Sequence, residues 1–206
     1  PTTDVGLPGD YTLVVTNVLN GCTDQTVTTV DENNDEPVVV IDLSGILTCA
    51  VTSVTFDGSN STGIGTLTYQ WLDENNNVIS NQISIDVSNP GDYTLIVTDI
   101  DNGCQTDELV TVDENIAAPV ANATVSGPLT CVETISTLDG NGSSGIGSLT
   151  YEWFDNLNNS LGIDPTLDVN APGDYTLIVT DVDNGCTSSV DITVDENTIA
   201  PDAVAQ

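Results

Sequence analysis

The fold is decided by the stretch PGDYTLIVTDVDNGC, which spans Pro172–Cys186. Tyr175, Leu177 and Val179 alternate with polar or outward-facing positions, which predicts a strand with one buried face. The Asn-Gly pair near its end predicts a hairpin turn, because glycine supplies the positive φ angles that a tight turn needs. Closely similar stretches begin at Pro8 and Pro90, at steps of 82 residues without insertion or deletion. A gapless period of this length indicates one whole small domain copied in tandem.

Other motifs recur with the same period and define the limits of the repeats. The triplet LTC begins at Leu47 and Leu129, and the motif VDEN begins at Val30, Val112 and Val194. Short alternating runs between these motifs predict about seven strands per repeat, which is typical of a β-sandwich. We therefore predict the last two strands of a repeat in residues 1–36, complete repeats in 37–118 and 119–200, and the start of a further repeat in 201–206.

The composition excludes several classes of function. The chain has 32 acidic residues and no Lys, Arg or His. A Ser-His-Asp or Cys-His nucleophile, a Schiff-base lysine and a His-ligated zinc site are therefore impossible. The negative charge repels nucleic acid and anionic membranes, and no apolar run is long enough to span a bilayer. Paired-carboxylate hydrolysis is left available, but small sandwiches offer no deep pocket, so we do not expect an enzyme.

The aromatic residues are predicted to anchor the core. Trp71 and Trp153 hold the same position of the third predicted strand, where alternation with polar neighbours places them between the sheets. An exposed indole that stacks on a sugar is the alternative. The tyrosine after each Gly-Asp pair is predicted to bond to backbone as a corner tyrosine. The predicted core anchors are Tyr69, Trp71, Tyr93, Tyr151, Trp153 and Tyr175.

Two kinds of acidic motif suggest calcium, since carboxylate oxygens are its preferred ligands. The first comprises DIDNG and DVDNG, in which two aspartates precede a glycine turn; a plain hairpin is the alternative. The second comprises the DEN-containing linkers between repeats, where a divalent ion would offset the repulsion between carboxylates; a solvated linker is the alternative. The candidate calcium ligands are Asp31, Glu32, Asp35, Glu36, Asp99, Asp101, Asp113, Glu114, Asp181 and Asp183.

Five cysteines, Cys22, Cys49, Cys104, Cys131 and Cys186, follow the repeat, and their regular spacing favours disulfides. Pairing within repeats would join Cys49 to Cys104 and Cys131 to Cys186. In a sandwich, however, the first turn and the last hairpin lie at opposite ends, about 20–30 Å apart, whereas a disulfide needs Cα atoms within about 7 Å. That geometry favours Cys49–Cys186 between repeats, with Cys22 and Cys104 pairing upstream and Cys131 downstream. Unpaired thiols are the third possibility.

The tract from LTC through LTYxW and PGDYTLIVTDxDNGC to VDEN resembles a known family. It is similar to the immunoglobulin-like or polycystic-kidney-disease-type repeats of large secreted surface proteins of Bacteroidetes bacteria. The resemblance covers both complete repeats and the half repeat, and its most specific parts are YxW and GxYTLxVTD. It implies an all-β fold of tandem seven-stranded Ig-like β-sandwiches, in proteins that form stalks, adhesins and surface filaments outside the cell.

The sequence as a whole favours an extracellular structural or adhesive repeat protein that forms a stalk or filament. Its expected partners are neighbouring copies of itself or a host surface ligand, and calcium is its one expected cofactor. A carbohydrate-binding accessory module of a secreted glycosidase is the alternative function. That alternative requires exposed aromatic side chains, and the chain has only two Trp and two Phe.

Overall fold

The structure is a computed structural model that describes residues 2–202. The predicted start of a repeat at 201–206 therefore lies mostly outside the described residues. Within 2–202 the chain forms twenty β-strands and no helix, so no membrane-spanning helix occurs in the described part. The chain divides into two compact units, Pro1–Asp42 with Asp57–Ile85 and Tyr93–Val110, and Leu43–Phe56 with Asp86–Asp92 and Thr111–Gln206.

Residues 119–200 lie wholly within the second unit and show the fold of one repeat. Their strands are β12 (Thr124–Val125), β13 (Leu129–Thr130), β14 (Ser136–Asp139), β15 (Leu149–Asp155), β16 (Ser160–Gly162), β17 (Thr166–Val169), β18 (Gly173–Asp181), β19 (Thr187–Val194) and β20 (Glu196–Asn197). One sheet has the order β12-β14-β17 and another has the order β16-β15-β18-β19. A parallel pair, β13 with β20, completes the repeat. This is the strand order of an immunoglobulin-like sandwich.

The core of this repeat is the predicted alternating face of β15 and β18. Trp153 lies opposite Leu177 across these two antiparallel strands, and both side chains are fully buried. Tyr151 is only half-buried and packs against the edge of the core. The buried cluster consists of Leu129, Leu138, Trp153, Val169, Tyr175, Leu177, Val179 and Val194.

The strands between residues 37 and 118 follow the same order. They are β3 (Asp42–Leu43), β4 (Leu47–Thr48), β5 (Val54–Asp57), β6 (Leu67–Leu72), β7 (Val78–Ser80), β8 (Ser84–Val87), β9 (Gly91–Asp99), β10 (Gln105–Val112) and β11 (Glu114–Asn115). The sheets are β3-β5-β8 and β10-β9-β6-β7, and β11 pairs with β4 in parallel. Each of the two repeats thus has seven strands in two sheets and two more in the short parallel pair.

The half repeat forms a two-stranded hairpin of β1 (Gly9–Thr16) and β2 (Thr23–Val30). Its apolar face lacks the cover that the complete repeats provide. Leu13 and Val15 are 56% and 59% exposed, whereas their equivalents Leu177 and Val179 are fully buried.

Carboxylates on the sheet surfaces bond to threonine hydroxyls, since the chain has no basic side chain to pair with them. Thr137 Oγ1 donates to Asp168 Oδ1 across the β14–β17 pair at 2.6 Å. Thr193 Oγ1 donates to Asp174 Oδ1 at 2.6 Å across β18–β19. These are short, charge-assisted hydrogen bonds, which take the cross-strand positions that salt bridges occupy in ordinary sheets.

Replacing Trp153 by alanine is expected to destabilise the second repeat by about 3–5 kcal/mol, because it empties the centre of the sandwich. It also removes the indole Nε1–H donor of a 3.1 Å bond to the carbonyl of Asp164. Urea denaturation of the unreduced protein measures the cost. Leu157→Ala is the control, since Leu157 is 75% exposed and its truncation should change stability little. Equal costs for the two variants would contradict the assigned core.

Candidate functional site: the junction between repeats

The hairpin that joins β18 to β19 has a rigid tip built by its own sequence. Asp181 N donates to Cys186 O at 2.9 Å, and Gly185 N donates to Asp181 O at 2.8 Å. Gly185 has a φ of 72°, a left-handed conformation that favours glycine. Asn184 Oδ1 accepts from Cys186 N at 2.8 Å, which fixes the side chain of Asn184 on the tip. The tip therefore presents the Asn184 amide group in one orientation.

Asn184 docks this tip on the preceding repeat. Its Nδ2 donates to Ala117 O at 2.9 Å and to Asn115 Oδ1 at 3.1 Å, both in the linker that leaves repeat 37–118. Its backbone oxygen accepts from Ala50 N, in the turn after β4, at 3.2 Å. Asn184 is 1% exposed. A buried carboxamide with both ends bonded is a specific lock, because a side chain of other chemistry would leave partners unsatisfied.

A disulfide between Cys49 and Cys186 closes the same junction. Their Cα atoms are 5.0 Å apart, and the bond spans 137 residues. Pairing between repeats, which the geometry of the sandwich favoured, is therefore what the structure contains. The alternative pairing within repeats, Cys49–Cys104 and Cys131–Cys186, is wrong. It fails because the turn after the first short strand lies near the hairpin of the next repeat, not near that of its own.

The three other cysteines are free thiols in this structure. Cys22 and Cys131 are exposed, and Cys104 is partly exposed. Cys104 nevertheless belongs to a formed junction, since Asn102 Nδ2 donates to Asp35 O at 2.9 Å and to Asn33 Oδ1 at 3.2 Å. These bonds repeat those of Asn184, shifted by 82 residues. The junction is thus a recurring device.

The aspartates of the DxDNG motifs hold the hairpin to the glycine-rich loop of their own repeat. Asp181 is 1% exposed, and its Oδ2 accepts from Gly147 N at 3.0 Å while its Oδ1 accepts from Asp183 N at 3.0 Å. A Cβ at Gly147 would clash with both carboxylates. Asp99 bonds in the same way to Gly65 N, at 2.8 Å.

The other candidate calcium ligands are exposed and are not gathered into a cluster. They are Asp31, Glu32, Asp35, Glu36, Asp101, Asp113, Glu114 and Asp183. Among residues 2–202, no group of three or more acidic or cysteine side chains is placed to hold a metal ion. Calcium binding by this chain therefore stays a prediction.

Neutral donors also tune the titration of the turn carboxylates. Asp155 Oδ2 accepts from Asn159 Nδ2 at 2.8 Å, and Asp155 Oδ1 accepts from the backbone N of Asn159 at 2.8 Å. The Asn159 side chain first, and then these backbone groups, lower the pKa of Asp155 below its ordinary value of 3.8. Asn77 lowers the pKa of Asp73 in the same way. Burial, followed by the charge of Asp155, raises the pKa of Tyr175 above 10.

The aromatic side chains are structural in this arrangement. Trp71 and Trp153 are fully buried, so neither indole is available to stack on a sugar. Tyr175 Oη donates to Ala171 O at 2.9 Å, which is the bond expected of a corner tyrosine. Tyr93 is buried, whereas Tyr69, like Tyr151, is only half-buried.

Comparisons with known proteins give weak similarities. No family model and no curated protein matches the chain. Among solved structures, three N-terminal domains of the Highly Immunogenic Outer Capsid protein (Hoc) of bacteriophage RB49 are 16% identical, with a TM-score of 0.44 over 78% of this chain and 59% of that one. Murine CEACAM1b is 12% identical, with a TM-score of 0.37 over 79% of this chain and 100% of that one.

The four N-terminal Ig domains of Dscam1 isoform 1.9 are 13% identical, with a TM-score of 0.32 over 91% of this chain. This chain spans 54% of that Dscam1 fragment and, as stated, 59% of the Hoc fragment. The immunoglobulin-like character of the chain therefore rests on its own strand order.

Asn184→Asp should loosen the junction, because the carboxylate cannot donate to Ala117 O or Asn115 Oδ1. The expected loss is about 2 kcal/mol, in the range for leaving buried polar groups unsatisfied. Asn20→Asp is a matched control with the same charge change on an exposed hairpin tip. Urea denaturation of both variants, with the disulfide intact, gives the comparison. Equal losses would show that Asn184 does not lock the junction.

About a millimolar calcium is expected to raise the melting temperature when about 0.15 M sodium chloride is already present. A bound divalent ion would relieve the repulsion between linker carboxylates, while sodium chloride only screens it. Scanning calorimetry with calcium or with an equal ionic strength of sodium chloride separates the effects. An identical melting temperature in both would mean that the linker acids serve solubility alone.

Proposed function

We propose that this chain is a segment of an extracellular structural repeat protein, which forms a stalk or surface filament. The observation that carries the proposal is the docked and disulfide-bonded junction between residues 37–118 and 119–200. A string of independent domains needs no such lock, and flexible linkers normally separate them. A buried amide lock with a disulfide instead fixes one repeat on the next.

The position of the disulfide suits a protein under tension. A pull along the chain reaches Cys49, crosses to Cys186 and leaves through residues 187–202. The 137 residues of separation include almost all of the core strands of both repeats. They cannot be extended while the disulfide is intact, so unfolding of either sandwich adds little length.

The chemistry of the surface supports an extracellular location. Disulfides form and persist in oxidising compartments. The absence of Lys and Arg leaves no site for trypsin-like proteases, which suits a chain exposed outside a cell. Neighbouring copies of the protein, or a host surface ligand at another part of it, are the partners that fit a stalk or filament. The side-chain types also support a non-enzymatic role.

The carbohydrate-binding alternative receives no support from the aromatic residues. It needed a line of exposed rings, and both indoles lie inside the sandwiches. Adhesion by another surface of the repeats is compatible with the proposed stalk.

Single-molecule stretching tests the proposal directly. The double variant Cys49→Ser, Cys186→Ser should gain about 450–490 Å of contour length over the unmodified chain, the extended length of the released residues. Cys131→Ser should gain none, since its thiol is free within this chain. If the unmodified chain already extends to the length of the double variant, the disulfide does not limit extension and the structural proposal fails.

A further inference from the structure

We propose that separate copies of this chain join head to tail through a Cys131–Cys22 disulfide, with the first hairpin of one copy docked on the Cys131 junction surface of another. The inference deepens the proposed function, since it names a second copy as the partner. Its basis is that Cys49 and Cys186 already show the docked state, while Cys131 and Cys22 belong to the same two surfaces left apart.

The surface around Cys131 is built before any partner arrives. Leu129 N donates to Asp195 O at 2.9 Å, as Leu47 N does to Asp113 O at 3.0 Å in the occupied junction. Thr130 Oγ1 accepts from Val132 N and Glu133 N, at 3.2 and 2.9 Å.

Thr48 organises the turn before the occupied disulfide with the same pair of bonds, to Ala50 N and Val51 N. The parallel pair of β13 with β20 places Asn197 where β4 with β11 places Asn115. The receiving half of the junction is therefore complete, with an exposed thiol at its centre.

The hairpin around Cys22 is equally complete. Asn17 N donates to Cys22 O and Gly21 N donates to Asn17 O, both at 2.8 Å. Asn20 Oδ1 accepts from Cys22 N at 3.1 Å, and Gly21 has a φ of 69° against 72° in Gly185. The tip of the first hairpin thus has the backbone and amide geometry of the docked one.

Cys22 is a better donor than Cys104. The amide of Asn102 already bonds to Asn33 and Asp35 of its own chain, so its hairpin is docked. Asn20 and Cys22 are exposed. Contacts of one tip with one receiving surface are heterologous, and heterologous contacts that do not close a ring produce open chains.

Two features set the rate of joining. Each chain carries a formal charge of −32, so copies repel one another and added salt should speed their coupling. Val132 stands where Ala50 stands in the occupied junction. A Cβ on Gly185 would lie 2.6 Å from the Ala50 Cβ, so the tip glycine packs closely on that side chain. The larger Val132 should hinder the approach of Gly21, and Val132→Ala should ease it.

The bond requires an oxidant, for which a small-molecule disulfide such as oxidised glutathione suffices. The Cys131 thiolate attacks one sulfur of the oxidant and releases one thiolate, leaving a mixed disulfide. The Cys22 thiolate of the second copy then attacks the Cys131 sulfur and expels the other thiolate. Two cysteine thiols are oxidised and one disulfide is reduced to two thiols, which take up the two protons.

The test is oxidative coupling of the whole chain in a glutathione buffer with about 0.5 M sodium chloride, followed on non-reducing gels. We expect a ladder of covalent multimers from the unmodified chain and from Cys104→Ser. Cys22→Ser alone and Cys131→Ser alone should stay monomeric, and an equal mixture of the two should stop at the dimer. Cleavage at acidic residues, followed by mass spectrometry, identifies the joined cysteines.

Docking is separated from random thiol collision by two further variants. Asn20→Asp should slow coupling about tenfold, the effect of losing about 1.4 kcal/mol of docking, and Val132→Ala should speed it. A ladder that needs Cys104, symmetric Cys22–Cys22 or Cys131–Cys131 products, or no effect of Asn20→Asp would overturn the proposal. The stretching test depends only on Cys49–Cys186 within one chain, so either proposal can fail while the other stands.

Discussion

The docked Asn184 carboxamide is the interaction on which the arrangement of the repeats depends. Its Oδ1 shapes the hairpin that presents it, and its Nδ2 grips two oxygens of the preceding linker. One side chain therefore performs both the local folding and the long-range docking. The nearby disulfide would be possible only with the hairpin held in this place, because its Cα atoms must lie within about 7 Å.

The absence of basic residues explains why amides and hydroxyls take these roles. In a chain with 32 acids and no cation, every buried carboxylate must find neutral donors. Asp181 finds the backbone N–H groups of Gly147 and Asp183, and the surface aspartates find threonine hydroxyls. Hydrogen bonds to neutral donors lose less to added salt than ion pairs do. Such a fold suits an environment in which salt varies.

The sequence predicted the parts of the fold that have strong local patterns. Alternation of Tyr175, Leu177 and Val179 predicted β18 and its buried face, and the length of a sandwich predicted that Cys49 would meet the hairpin of the next repeat. The parallel pair of β13 and β20 was missed, since two-residue strands carry no periodicity. The docking role of Asn184 was also missed, because its partners lie 67 and 69 residues away. The one available signal was the Asn of each DEN motif, which keeps the same spacing to each NGC.

The spacing of the junction cysteines has a consequence for any longer array of such repeats. The disulfide spans 137 residues, whereas the repeat is 82 residues long, so loops closed at successive junctions overlap by 55 residues. Every residue between the first and last junction then lies inside at least one closed loop. A repeat that unfolds under tension cannot release its full length, because the loop of its neighbour still encloses part of it. Overlap of this kind makes the resistance to stretching a property of the array and not of the single domain, which a disulfide confined to each sandwich could not achieve.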